Sequence, residues 1–251
     1  MIKAAIFDLD GTLVDTERLK GVSYGRAANE LRPGTTTDEQ AIEAFKAVLG
    51  RSRREAGQEL LQRFGVEPEA RARMTELGAD DPVDAFIRIR LRIYDEMVSN
   101  AEVMRQAELP HTVALARTLR AERYPLGLTT QSDCKRTVRL MDILGLPDAF
   151  DVMVTGDEVT RGKPDPQIYQ ICIGKLGVQP RQCLALEDAA VGVKAALAAG
   201  VWCIAVPTDL TRAAIDQERL LDERWVVSDP ARLEQVVREM IAERIRDEEH
   251  V

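Results

Sequence analysis

Short unbroken apolar runs punctuate the chain at AAIF (4–7), PLGLTT (125–130), DVMVT (151–155), CLALE (183–187), WCIAV (202–206) and WVVS (225–228). Runs of this length fit strands buried on both faces of a sheet. Between them apolar residues recur at helical spacing, as in Val138, Met141 and Leu144, or Ile168, Ile171 and Leu176. Strands alternating with helices predict an α/β fold with a parallel, doubly wound sheet. Residues 16 to about 100 break this rhythm. They read as helices carrying Ile42, Phe45 and Leu49, then Ala56, Leu60 and Phe64, interrupted near Pro33-Gly34, Gly65 and Gly78. The segment IRIRLRI (87–93) alternates with period two, a strand pattern. Asp84-Ala85 and Asp95-Glu96-Met97 extend it with helix-tolerant residues, so it is read as helix. The expected organisation is a sheet domain from 1–15 and 101–251 with an all-helical insert over 16–100.

Composition narrows the partners. A chain of 251 residues suits one large or two modest domains. With 45% hydrophobic and 30% charged residues it has the balance of a soluble globular protein. Aromatics at 4% leave little for base stacking, and a net charge of −8 has the wrong sign for a phosphate backbone. No nucleic acid partner is expected. No apolar run approaches the roughly 18 residues of a membrane span, and no basic-then-apolar leader opens the sequence. A cytoplasmic protein without a membrane partner is expected, as a monomer or weak homodimer. The four cysteines have no C-x-x-C spacing and two histidines to help them, so zinc is not expected.

In open α/β sheets ligands bind beyond the carboxyl ends of the strands. Asp8 and Asp10 follow the first predicted strand, Thr130 ends the second, Lys163 lies in the loop after the third, and Glu187-Asp188 end the fourth. Taken singly, each has an ordinary reading. Asp8 could be a helix N-cap, Thr130 a turn residue, Lys163 a solvated loop charge, and the Ala-rich stretch after Glu187 a plain helix with Gly192 and Gly200 serving packing and capping. Jointly, several carboxylates, a hydroxyl and an ammonium at one edge of one sheet point to a hard cation that justifies the crowding.

DLDGTLVDTE, TTQS, GKPDP and LEDAAVGVKAALAAG together resemble the four motifs of the haloacid dehalogenase-like hydrolases, in the subgroup with a helical cap inserted after the first strand. The resemblance covers about 1–15 and 100–210. It implies a Rossmann-like core and an all-helical cap domain that closes over the site, with hinges near 14–16 and 99–108. It also implies a Mg²⁺-dependent phosphatase in which Asp8 is the nucleophile, passing through an aspartyl-phosphate, and Asp10 the general acid and base. Thr130 and Lys163 would stabilise the transferring oxygens. The metal would be held by an Asp8 oxygen, the Asp10 backbone carbonyl and Asp188, with Glu187 direct or through water. Halide- and phosphonate-cleaving members lack the aspartate at position 10, so phosphoryl esters are favoured. In the cap, GRSRREAG (50–57) resembles a specificity loop in which Arg53 would grip a distal phosphate, and Lys20 stands where mutase-type relatives carry a histidine. The expected substrate is a small phosphorylated metabolite, a sugar or polyol phosphate. A phosphoglucomutase-like isomerase and a non-catalytic ligand-binding regulator are the rival readings.

Overall fold

The computed structural model describes residues 1–49 and 51–249. The chain divides into two compact units, Met1–Asp15 with Ala107–Val251, and Thr16–Gln106. The second crossing thus falls at 106/107 rather than at 100/101. Residues 101–106 form a further helix whose Met104 is buried and which packs on the helix before it, so they belong to the helical unit.

The first unit begins with β1 (Ala4–Asp8). The helical unit follows: α1 (Thr16–Leu31), α2 (Asp38–Lys46), α3 (Arg53–Phe64), α4 (Glu67–Ala72), α5 (Met74–Leu77), α6 (Pro82–Ser99) and α7 (Ala101–Gln106). The chain then resumes the first unit with α8 (Pro110–Ala121), β2 (Leu126–Thr129), α9 (Cys134–Ile143), β3 (Val152–Val154), α10 (Gln167–Leu176), β4 (Cys183–Glu187), α11 (Ala190–Ala198), β5 (Trp202–Ala205), α12 (Arg212–Glu218) and α13 (Leu233–Glu249).

The five strands are all parallel, in the order β3-β2-β1-β4-β5. All residues of β1, β2 and β4 are buried, which explains their continuous apolar runs. Ala4, Ile6, Cys183, Ala185, Cys203 and Ala205 face α10 and α11 across one core layer with Ile168, Cys172 and Val193. Burying a side chain such as Ile6 contributes about 1.5–3 kcal/mol. After β1 the chain turns toward β2, and after β4 toward β5, so strand order reverses between β1 and β4. A crevice opens at such a switch point beyond the carboxyl ends.

Three sequence expectations are corrected. WVVS is not a strand: Glu223–Trp225 form a 3-10 turn, and only Val226 bridges to Ala205. Trp225 and Val227 are nevertheless buried, and that burial, not strand pairing, accounts for the apolar run. In α9 the buried face carries Thr137, Leu140 and Met141, while Val138 is exposed. The third is the 106/107 boundary above.

Within the helical unit, α6 packs on α1, α3 and α4, and α1 on α2. Thr37 and Ser52 close capping boxes at the starts of α2 and α3. Gly65 and Gly78 end α3 and α5 in the left-handed region, where a side chain is strained. IRIRLRI is helical throughout, inside α6. Among the described residues no helix is long and apolar enough to cross a membrane.

Candidate active site

Phe7 and Leu186 pair in register, so Asp8 and Glu187, the last residues of β1 and β4, leave the sheet side by side. Both are buried, as is Asp188. From the loop after β3, Lys163 Nζ donates to Asp8 Oδ1 at 2.5 Å, to Glu187 Oε1 at 2.6 Å and to the Thr129 carbonyl at 3.4 Å. An ammonium has three protons, and here each has a direction. The Tyr169 hydroxyl, from α10, donates to the same Glu187 oxygen, and its ring lies 5.3 Å from Lys163 Nζ.

Burial, and then the charges of Glu187 and Asp10, push the Asp8 carboxyl up to about 8, against the pull of Lys163. Burial opposes the charge on Lys163, but Asp8 and Glu187 outweigh it and hold its pKa above the ordinary lysine value. Burial, with Glu187 and Asp8 adding to it, raises the Tyr169 phenol well above its usual range, so it remains a donor.

Asp10 occupies the turn beyond β1. Its Oδ2 accepts from Thr130 Oγ1 and from Ser132 Oγ, both at 2.9 Å. Thr130 in turn accepts from the Ser132 backbone N–H at 3.0 Å. Gly11, at φ +90°, supplies the left-handed turn that brings the chain back, and its N–H donates to Val14 O at 2.7 Å.

Asp8, Glu187 and Asp188 each bring one carboxylate oxygen into a group lying within 4.8 Å. Two glycines leave space for these oxygens. A Cβ on Gly11 would come 2.2 Å from Asp188 Oδ2, and one on Gly192 1.9 Å from Glu187 Oε2. An all-oxygen, buried and anionic donor set fits a hard divalent cation such as Mg²⁺ and not a thiophilic metal. The Asp10 side chain is not in this group.

Six of the eight candidate residues, Asp8, Asp10, Thr130, Lys163, Glu187 and Asp188, therefore converge at the edge of one sheet. Lys20 and Arg53 belong to the helical unit. Lys20, on α1, is ion-paired with Glu17, and Arg53 is the exposed first residue of α3. Gly50, which opens the GRSRREAG stretch, lies outside the described residues. Sequence reasoning missed Ser132 and Tyr169. A hydroxyl two residues past Thr130 shares its turn, and a buried tyrosine needs a partner for its O–H; those were the available signals. Gly192, for which packing in a plain helix is the ordinary alternative, borders a site carboxylate.

Comparison with known proteins identifies the family. The family described as haloacid dehalogenase-like hydrolase matches residues 2–200. Validoxylamine A 7'-phosphate phosphatase of Streptomyces hygroscopicus subsp. limoneus is 31% identical over 230 residues, covering 90% of this chain and 97% of the relative. The phosphorylated carbohydrates phosphatase of Thermotoga maritima is 30% identical over 204 residues, covering 80% of this chain and 82% of that one. Among solved structures, a Thermotoga maritima protein provisionally assigned as a beta-phosphoglucomutase superposes with a TM-score of 0.71 at 26% identity, covering 95% of this chain and 99% of that one. The parallel sheet, the helical unit inserted after β1 and the match over most of its length show that this chain belongs to the haloacid dehalogenase-like hydrolases.

Proposed function

We propose that the protein is a Mg²⁺-dependent phosphatase that hydrolyses a small phosphorylated metabolite, a sugar or polyol phosphate, through an aspartyl-phosphate. The observation that carries this reading is the division of labour between two aspartates two residues apart. Asp8 is buried and fixed by Lys163, whereas Asp10 is held apart from the metal-type cluster by two hydroxyls. A nucleophile must stay put while an acid must reach the leaving group.

Asp8 attacks phosphorus, the ester oxygen departs with a proton from Asp10, and the phosphoryl group rests on Asp8. Asp10, now ionised, takes a proton from water, which displaces phosphate and regenerates Asp8. Lys163 faces the transferring oxygens with fixed positive charge, and Thr130 offers them a hydroxyl. Asp8 and Asp188 would hold Mg²⁺ with the Asp10 carbonyl, and Glu187, engaged by Lys163 and Tyr169, would act on it from behind. When bound, the ion lowers repulsion between the aspartate and the phosphate and aligns them. The helical unit serves as the cap and the selector of substrate, with hinges at its two chain crossings.

The relative named as a phosphorylated carbohydrates phosphatase favours the sugar class. The likeness to a provisional mutase keeps an isomerase as the second reading, and Lys20 in place of a histidine weighs against it. A non-catalytic binder has no need of the nucleophile and the acid together. Phosphate release from p-nitrophenyl phosphate with Mg²⁺, lost in Asp8→Asn, tests the activity, and a panel of phosphorylated metabolites then names the substrate. No release from any member would overturn the proposal.

A further inference from the structure

Tyr169 puts a hydroxyl into an apolar layer. It lies on the first turn of α10, is fully buried, and packs in the core with Ile6, Val154, Cys172 and Cys203. A phenylalanine would fill the same space. The hydroxyl loses its water on folding, and only a hydrogen bond offsets that loss. The bond goes to Glu187 Oε1, at the carboxyl end of β4.

The same oxygen accepts from Lys163 Nζ at 2.6 Å. Two donors fill the two lone pairs of Oε1. Oε2 lies against α11, where a Cβ on Gly192 would stand 1.9 Å away. Glu187 is thus confined at both oxygens. Lys163 directs its other two protons to Asp8 Oδ1 at 2.5 Å and to the Thr129 carbonyl at 3.4 Å. Hydroxyl, carboxylate, ammonium and carboxylate therefore form one chain, drawn from α10, β4, the loop after β3, and β1. Its two carboxylates differ in one respect. In the proposed cycle Asp8 carries the phosphoryl group and then releases it, so the charge it presents to Lys163 comes and goes, whereas Glu187 keeps its charge throughout. The ammonium needs that unchanging anchor, and the Tyr169 hydroxyl keeps the anchor from turning. The Tyr169 ring, 5.3 Å from Lys163 Nζ, also bounds the ammonium on one side.

We infer that Tyr169 is a positioning residue: its hydroxyl fixes the Glu187 carboxylate, which in turn holds the Lys163 ammonium against the nucleophile Asp8. That the aligned ammonium serves phosphoryl transfer rests on the phosphatase reading; that Tyr169 aligns it does not. The ring packs the core and the hydroxyl sets the site, so Tyr169→Phe separates the two roles.

Two variants of the full chain test this, Tyr169→Phe and Cys172→Ala. Cys172 is buried in the same layer, one turn further along α10, and takes no part in the hydrogen bonds above. Both variants should lower the Tm, as any loss in this layer does. The first readout is the exchange of the Lys163 ammonium protons with water, followed by ¹H–¹⁵N NMR on the metal-free protein and identified by the signal missing in Lys163→Arg. The Lys163 side chain is 5% exposed, against 33% or more for Lys20, Lys46, Lys175 and Lys194, so its protons stand out as slow. Tyr169→Phe should speed this exchange roughly tenfold or more, the worth of one hydrogen bond to a charged group, and Cys172→Ala should leave it slow. The second readout is hydrolysis of p-nitrophenyl phosphate at saturating Mg²⁺. Tyr169→Phe should lower kcat roughly 10- to 100-fold, as removing the partner of a site carboxylate does, with little change in KM. Cys172→Ala should keep kcat near the parent value. Faster exchange in Tyr169→Phe, in a protein whose parent releases no phosphate, would sustain the alignment and count against the phosphatase reading. Exchange no faster than in Cys172→Ala, or an unchanged kcat in an active protein, would make Tyr169 a packing side chain and overturn the inference.

Discussion

Thr130 donates its one hydroxyl proton to Asp10 Oδ2 at 2.9 Å, and so has none left for a substrate oxygen while Asp10 stays there. Under the proposed mechanism, Asp10 must leave this contact when the leaving group arrives, freeing the hydroxyl for the phosphoryl group. Ser132 holds the same carboxylate oxygen and has no second task. Thr130→Ala should therefore cost roughly 10²–10³ in kcat, as loss of a transition-state donor does, and Ser132→Ala no more than about tenfold. Equal losses in steady-state assays on an aryl phosphate would remove this distinction.

Asp10→Asn should slow turnover about 10²–10⁴-fold, the usual worth of general acid–base catalysis. The loss should shrink on substrates with good leaving groups, which need no proton. A variant as fast as the parent on an alkyl phosphate would return halide-type chemistry to consideration.

The buried Asp8 carboxyl gives metal binding a pH signature. In the metal-free protein it keeps its proton up to about pH 8, whereas an unfolded aspartate releases it near 3.8. The folded state binds the extra proton between these values, so this contribution to stability is present at low pH and falls as pH rises from 3.8 to about 8. Mg²⁺ requires the ionised form, so its binding at pH 7 should release a proton and tighten as pH rises toward 8. Calorimetry in buffers of different ionisation enthalpy reads the proton count; a count of zero at pH 7 would contradict the raised pKa.

Gly192→Ala should weaken Mg²⁺ use and lower the Tm, because its Cβ would fall 1.9 Å from Glu187 Oε2, a carboxylate that Lys163 and Tyr169 hold in place. A magnesium titration with a parent-like midpoint would show that Glu187 relocates freely.

Much of this was legible in sequence because a doubly buried parallel sheet writes its strands as unbroken apolar runs. AAIF and CLALE lie within β1 and β4, and the polar residues just past them reach the switch point. WVVS misled because Trp225 and Val227 are buried under a turn, and apolar runs report burial rather than pairing. The 101–106 helix was misplaced because its one fully buried side chain, Met104, gives no periodicity. Ser132 and Tyr169 were missed for another reason: their roles are contacts with other segments of the chain, to Asp10 and to Glu187, which local signals do not name. Arg90 shows the reverse case, in which a charged side chain on the buried face of α6 disguised the helix as a strand.

Phosphatase and mutase separate on one substrate. With hexose 1-phosphate and a bisphosphate primer, the phosphatase reading expects free phosphate and sugar. Accumulation of the 6-phosphate without phosphate release would favour the isomerase.

The central claim is that Asp8 becomes covalently phosphorylated. Borohydride reduces an acyl phosphate but spares a carboxylate, so turnover quenched in borohydride converts a phosphorylated aspartate to homoserine. Peptide mapping of the wild-type protein quenched during hydrolysis of p-nitrophenyl phosphate with Mg²⁺ should find homoserine at position 8 and aspartate at position 10. Aspartate at position 8 in protein quenched while it is releasing phosphate would contradict the account.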